Sequence, residues 1–254
     1  MKSCLKVLFL FLVLIVSACK PTSQPELHES INILFIGNSY IFVNDMPKIF
    51  AELAGFGGYN MNVTTLAKAG FSLNDHAEDP DIGGVFKANN WDYVILQEKS
   101  SLPVVDMKLM EQGVSKLIEL AEEHDAEIVL FMPWAYRAGY PEAGMADYHA
   151  MQSKVAETYQ DLAREFDISL APVGLAWQSA LERHPELDLW SPDGSHPSLS
   201  GSYLAALTFY AHIFQESPAG LNYPISIPAD IELVPSLEEI AAETVLGIPG
   251  EWNP

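Results

Sequence analysis

Five short apolar runs, spaced along the chain at 31–36, 61–66, 91–97, 128–132 and 168–173, constrain this sequence more than any other feature. The first, Ile31-Asn32-Ile33-Leu34-Phe35-Ile36, suits a buried parallel strand, as do Val94-Ile95-Leu96 and Ile128-Val129-Leu130-Phe131-Met132. Between them lie stretches with helical spacing. A start signal at Asn44-Asp45-Met46-Pro47 leads into Ile49, Phe50, Leu53 and Ala54 on one face. Residues 107–124 place Met110, Val114, Leu117, Ile118 and Ala121 on a stripe, and 145–166 do the same with Tyr148, Met151, Val155, Tyr159 and Leu162. Strand and helix alternating in this way predict repeated βαβ units, hence an α/β three-layer α/β/α sandwich around a central, mainly parallel five-stranded sheet. A chain of 254 residues suits one such domain.

The amino terminus stands outside that pattern. Lys2 and Lys6 precede an unbroken apolar run at 7–16, and Val16-Ser17-Ala18 precedes Cys19. A run that short reads as a signal segment, not a membrane-spanning helix. With Cys19 directly after it, the segment resembles a bacterial lipoprotein signal, residues 1–18, with Cys19 as the lipidated first residue of the mature chain. The alternative is a conventional secretory peptide with an incidental cysteine. Residues 19–30 are polar and Pro-containing, a tether, and 31–254 form the domain. The expected location is extracytoplasmic, anchored by lipid to a bacterial membrane, the outer one before the inner where both exist.

Charge narrows the partners. Removing 1–18 takes away two lysines and no acid, so the net charge moves from −21 to −23, 11 basic residues against 34 acidic. Such a field repels phosphate backbones, and no nucleic acid is expected as a partner. Apart from Cys4 and Cys19 there is no cysteine, so no disulfide or catalytic thiol is expected. The seven histidines are scattered without metal-ligand spacing, and no phosphate-binding glycine loop is present. No metal or cofactor is expected.

The first apolar run ends abruptly in Gly37-Asn38-Ser39-Tyr40. In an open α/β sheet the crevice lies beyond the carboxyl ends of the strands, which is where this serine falls. Gly-Asn-Ser is equally ordinary turn chemistry, with Ser capping a helix. Far along the chain, Trp190-Ser191-Pro192-Asp193-Gly194-Ser195-His196-Pro197 carries an acid and a histidine three residues apart in a Pro- and Gly-punctuated loop. A serine hydroxyl needs an imidazole to take its proton, and a carboxylate to fix the imidazole's tautomer. Ser39, His196 and Asp193 together supply those parts.

Gly37-Asn38-Ser39, Gly70 after the second strand and Asp193-Gly194-Ser195-His196 resemble the sequence blocks of the SGNH (GDSL-type) hydrolase superfamily, over about residues 31–215. The resemblance implies a flavodoxin-like fold and ester hydrolysis by Ser39, His196 and Asp193. It also implies an oxyanion hole of the Ser39 and Gly70 amides. The family's Gly-x-Asn-Asp segment after the third strand is missing; Gln97-Glu98-Lys99 stands there instead. The Gln97 carboxamide is read either as the substitute for the asparagine donor or as a strand-end group that binds backbone, and Glu98 is expected to be solvated or a cap.

Other residues at the rim are read with two possibilities each. Tyr40, Trp134 and Tyr136 are candidates to line a substrate pocket, Trp134 equally a packing residue. Arg137 is expected in a salt bridge. The weakly periodic stretch 72–90 reads as a loop or irregular helix; its His76 is expected to cap or face water, with reach to the pocket as the alternative, and His149 to be exposed. The small residues Gly201 and Ala205-Ala206 suit a closely packed helix over 199–214. From about residue 216 an extension begins, Pro-rich and extended over 218–235, then helical to about Gly247, expected to cover a sheet edge or cap the pocket. The resemblance to the SGNH hydrolases implies as substrate a small-molecule or glycan ester carrying a small, acetyl-like acyl group. Two rivals remain: a non-catalytic ligand-binding lipoprotein with the same crevice, and a metal-dependent hydrolase, which the scattered histidines disfavour.

Overall fold

The computed structural model describes residues 30–224, 233–247 and Trp252; the signal segment, Cys19 and nearly all of the tether lie outside the described residues. Strand β1 (Ile31–Gly37) leads into a four-residue helix α1 (Ser39–Phe42), a tight turn and α2 (Met46–Phe56). Then follow β2 (Met61–Ala67), α3 (Leu73–Ala77), α4 (Ile82–Lys87) and β3 (Tyr93–Leu96). The chain continues through α5 (Leu102–Val105), α6 (Met107–Glu122), β4 (Glu127–Phe131), α7 (Tyr148–Phe166), β5 (Ser169–Ala171), α8 (Val173–Arg183), α9 (Leu199–Phe214) and α10 (Val234–Leu246).

All five strands pair in parallel, in the order β2-β1-β3-β4-β5. This is the doubly wound order whose direction reverses between β1 and β3, leaving a crevice beyond their carboxyl ends. Register aligns those ends: Gly37 lies opposite Ala67, Ile36 opposite Leu96, and Phe131 opposite Ala171. The central residues of β1, β3 and β4 are fully buried, as continuous apolar runs demand when helices cover both faces.

Helices α2, α8, α9 and α10 pack with one another on one side, and α3 to α7 form a second connected group. Helix α9 is buried almost along its whole length, which is why its sequence is apolar all round instead of striped. Phe35 of β1 and Phe131 of β4 meet Phe209 edge-on at 5.4 Å and 4.9 Å, fastening α9 to the sheet. Gly201 lies so close to the Trp177 ring that an added Cβ would come within 2.4 Å of it.

The stretch 72–90, expected as a loop or irregular helix, folds as the short helices α3 and α4. Ser72 and Asp75 cap α3 reciprocally, each side chain bonding the other's backbone N–H. Among the described residues the extension packs as α10 on α9 and α8. Its far end does reach a sheet edge: the Trp252 carbonyl accepts the Leu170 N–H of β5 at 2.9 Å. Residues 225–232 of the Pro-rich stretch lie outside the described residues.

Candidate active site

Ser39 is delivered by a strand that stops in a capped turn. Asn38 is the N-cap of α1, its carboxamide oxygen accepting the Tyr40 N–H at 3.2 Å while its Nδ2 donates to the Phe71 carbonyl at 3.2 Å. Gly37 has no room for a side chain: an added Cβ would lie 2.7 Å from the Gln97 carbonyl, the Gln97 Oε1 and the Ile41 Cδ1. Its carbonyl accepts the Lys68 N–H at 3.1 Å and the His76 Nε2–H at 2.7 Å. The serine therefore stands on backbone tied to β2, α3 and β3 at once.

The second half of the site is the loop at 190–197, closed on itself by a bridge between Trp190 and Pro197. Gly194 takes φ +70°, in the left-handed region, and its carbonyl accepts the Arg137 N–H at 2.8 Å. Asp193 Oδ1 accepts the Ser195 and His196 N–H groups at 2.8 Å and 2.9 Å. Its Oδ2 lies 2.6 Å from His196 Nδ1. Burial pulls the Asp193 pKa upward, but the Ser195 N–H, the His196 ring and the His196 N–H together outweigh it and hold the carboxyl below its ordinary value. A carboxylate at that distance accepts the Nδ1–H, which leaves Nε2 as an acceptor. His196 Nε2 lies 2.9 Å from Ser39 Oγ, so the serine O–H points at the free lone pair.

Four rim residues expected from the sequence fall into two groups. Gly70 stands in the turn after β2, exposed, at φ +74° with open space where a Cβ would be. Tyr136 is half-buried, its hydroxyl 2.8 Å from Ser100 Oγ, and it lines an open cavity of about 370 Å³ formed by residues 136–139 and 192–195. Tyr40 and Trp134, by contrast, are only 2% and 1% exposed. They brace the histidine loop. Tyr40 stacks on Trp134 at 4.7 Å, and Trp134 stacks on Trp177 at 4.1 Å. The Trp134 Nε1–H donates to the Ser195 carbonyl at 2.9 Å, and the Tyr40 hydroxyl lies 2.8 Å from Ser195 Oγ. Burial pushes the Tyr40 phenol well above its usual pKa, so it stays neutral beside the imidazole.

Of the two readings of Gln97, the geometry matches the backbone-binding one. Gln97 is fully buried, its Oε1 accepting the Asn38 N–H at 3.1 Å and its Nε2 donating to the Glu98 carbonyl. The carboxamide is thus spent on backbone beneath the Ser39 turn instead of facing the crevice. Glu98, expected to be solvated or a cap, is fully buried and caps: Leu73 N–H, the first of α3, reaches its two oxygens at 3.1 Å and 3.3 Å. His76 is buried as well, and burial lowers its pKa, leaving a neutral ring that donates to Gly37. Arg137 pairs with Asp188 and lies over the Trp190 ring at 5.2 Å, and His149 is exposed, both as the sequence suggests.

The bracing roles of Asn38, Tyr40 and Ser195 were not read from the sequence. The one local signal was Asn38 itself, an N-capping residue placed immediately before the serine. Among the described residues no group of three or more His, Cys, Asp or Glu side chains could hold a metal ion.

No protein-family model and no curated protein matches the chain. Solved structures do. A DUF4886 family protein from Bacteroides uniformis is similar over 86% of this chain and 95% of its own, with a TM-score of 0.75 and 19% identity. A candidate SGNH hydrolase from Slackia heliotrinireducens is similar over 72% of this chain and 99% of its own, with a TM-score of 0.61 and 29% identity. Axe2, an acetylxylan esterase from Geobacillus stearothermophilus, is similar over 72% of this chain and 94% of its own, with a TM-score of 0.55 and 17% identity. With its all-parallel five-stranded sheet flanked by helices, this chain has the fold of the SGNH (GDSL-type) hydrolases.

Proposed function

We propose that the protein is a serine ester hydrolase that removes small, acetyl-like acyl groups from a glycan or another small ester. One observation carries the reading: Ser39 Oγ, His196 Nε2, His196 Nδ1 and Asp193 Oδ2 form an unbroken hydrogen-bonded line with separations of 2.9 Å and 2.6 Å across the sheet's crevice. The similarity to SGNH hydrolases and an acetylxylan esterase supports the same class.

In this reading Ser39 Oγ attacks the ester carbonyl carbon while His196 Nε2 takes the serine proton. The imidazolium is steadied by Asp193, which stays ionised. The carbonyl electron pair moves onto oxygen, where the Ser39 and Gly70 N–H groups stabilise it. The tetrahedral intermediate collapses, His196 returns the proton to the departing alcohol oxygen, and an acyl-Ser39 ester remains. Water, deprotonated by the same His196 nitrogen, attacks that ester, and the acid leaves as Ser39 regains its proton. The cavity of about 370 Å³ beside Tyr136 is the nearest space for the remainder of the substrate.

A lipid on Cys19 would hold this activity at a bacterial membrane surface, and mass spectrometry of the mature chain tests that expectation. The reaction itself is tested by hydrolysis of short-chain aryl esters and acetylated sugars. Parent protein should turn them over, and Ser39→Ala should lose about 10⁴-fold or more in kcat. Equal turnover by both proteins, or none by the parent, removes the esterase reading and leaves a ligand-binding protein with the same crevice.

A further inference from the structure

Glu98 occupies the segment where the familiar oxyanion asparagine is missing, and its surroundings give it a different task. It sits at the carboxyl end of β3, wholly buried, between Gln97 and Lys99. Its Oε1 accepts the Lys99 N–H at 2.5 Å and the Leu73 N–H at 3.1 Å, and Oε2 receives the same Leu73 N–H at 3.3 Å. Its own N–H donates to the Tyr159 hydroxyl of α7 at 3.3 Å. Leu73 is three residues beyond Gly70, and the intervening Phe71 carbonyl is held by Asn38 Nδ2 at 3.2 Å. The segment that carries the Gly70 amide is therefore pinned at two points: by the residue preceding the nucleophile, and by a carboxylate that bridges β3 to α3.

We propose that Glu98 is a positioning residue for ester turnover, holding the Gly70 segment against the nucleophile turn through the Leu73 N–H. The proposal rests on the serine esterase reading above. A carboxylate makes stronger hydrogen bonds to backbone N–H groups than a neutral acid does, so the hold is tightest when Glu98 is ionised. Protonation puts an O–H among groups that are themselves donors. The charged and titratable groups acting on Glu98 are Asp75 on α3, with His76 beside it, Lys99 in its own loop and Tyr159 on α7. Burial, the largest influence, raises the Glu98 pKa to about 7 in spite of the Lys99 and Leu73 N–H groups. His76 is held neutral by burial, and the Tyr159 phenol is pushed far up, so neither supplies a charge that could stand in for it.

Two measurements test this. In the pH profile of kcat/KM, the acid limb of the parent should require the loss of two protons, one from the catalytic base and one from Glu98. Glu98→Gln should lose about tenfold at pH 8 and show a one-proton limb. An unchanged rate and limb in that variant would overturn the proposal, even if its melting temperature moved. The second measurement does not depend on turnover. In Ser39→Ala protein, the backbone amide resonances of Gly70 and Leu73 should shift together between pH 5.5 and 8.5 with a midpoint of about 7, and flat amides would overturn the proposal whether or not Glu98→Gln folds. Titrating amides in a protein whose parent hydrolyses no ester would mean that the esterase reading had failed while the hold on the Gly70 segment stood.

Discussion

The loop at 190–197 and the segment 97–99 meet the same crevice and each contributes one carboxylate, yet the two are built on opposite terms. Asp193 is exposed and receives three hydrogen bonds within its own loop, which hold it ionised. Glu98 is sealed under the rim, bonded to backbone from another element, and its pKa is lifted to about 7. The first arrangement keeps a permanent negative charge behind an imidazole; the second leaves a charge that comes and goes near neutrality. Solvent access decides which, because desolvation penalises only the ionised form.

The comparison can be broken most decisively at Asp193. Asp193→Asn removes the fixed charge and allows the wrong imidazole tautomer, and kcat on an aryl ester should fall by about 10³- to 10⁴-fold with little change in KM. A loss below tenfold would mean that Asp193 is not the orienting carboxylate. The two acids should next separate in stability. Because the folded Glu98 pKa of about 7 lies above the ordinary 4.5, the native state holds the extra proton between those values, and stability falls as pH rises through the window. Relative to Glu98→Gln, the parent should lose about 3 kcal/mol between pH 5 and 8 in denaturant titrations. Asp193, whose pKa is lowered, has the opposite sign: its contribution is present above its unfolded pKa and is lost as pH falls further. A Glu98→Gln difference that is the same at both pH values would show that Glu98 does not titrate in the folded protein. The smallest effect is expected at Tyr40. Tyr40→Phe keeps the stack on Trp134 but removes the bond to Ser195 Oγ, and kcat should drop by about three- to tenfold with the fold intact.

The sequence carried the sheet and the three catalytic candidates because both depend on local patterns. The continuous apolar runs marked strands covered on both faces, and a serine after β1 needed only the Asp193–His196 spacing to acquire partners. The direction in which Gln97 points could not be read in the same way. A carboxamide at a strand end can face the crevice or the backbone, and the neighbouring Asn38 N–H, brought alongside by the β1–β3 register, made the choice. Tyr40 and Trp134 had the composition of pocket walls, but their burial comes from Trp177 and Ser195, distant in sequence. Helices α3 and α4, at five and six residues, are too short to stand on propensity and are held by tertiary contacts.

Gly37 carries a consequence beyond its turn. Because one extra carbon there would strike both the main chain and the carboxamide of Gln97, no residue larger than glycine fits at 37 whatever side chain stands at 97. The height at which Ser39 emerges from the sheet is thus set by an atom that is missing, and a designer wishing to place an asparagine-like donor at 97 would first have to redesign what fills the gap beneath Ser39.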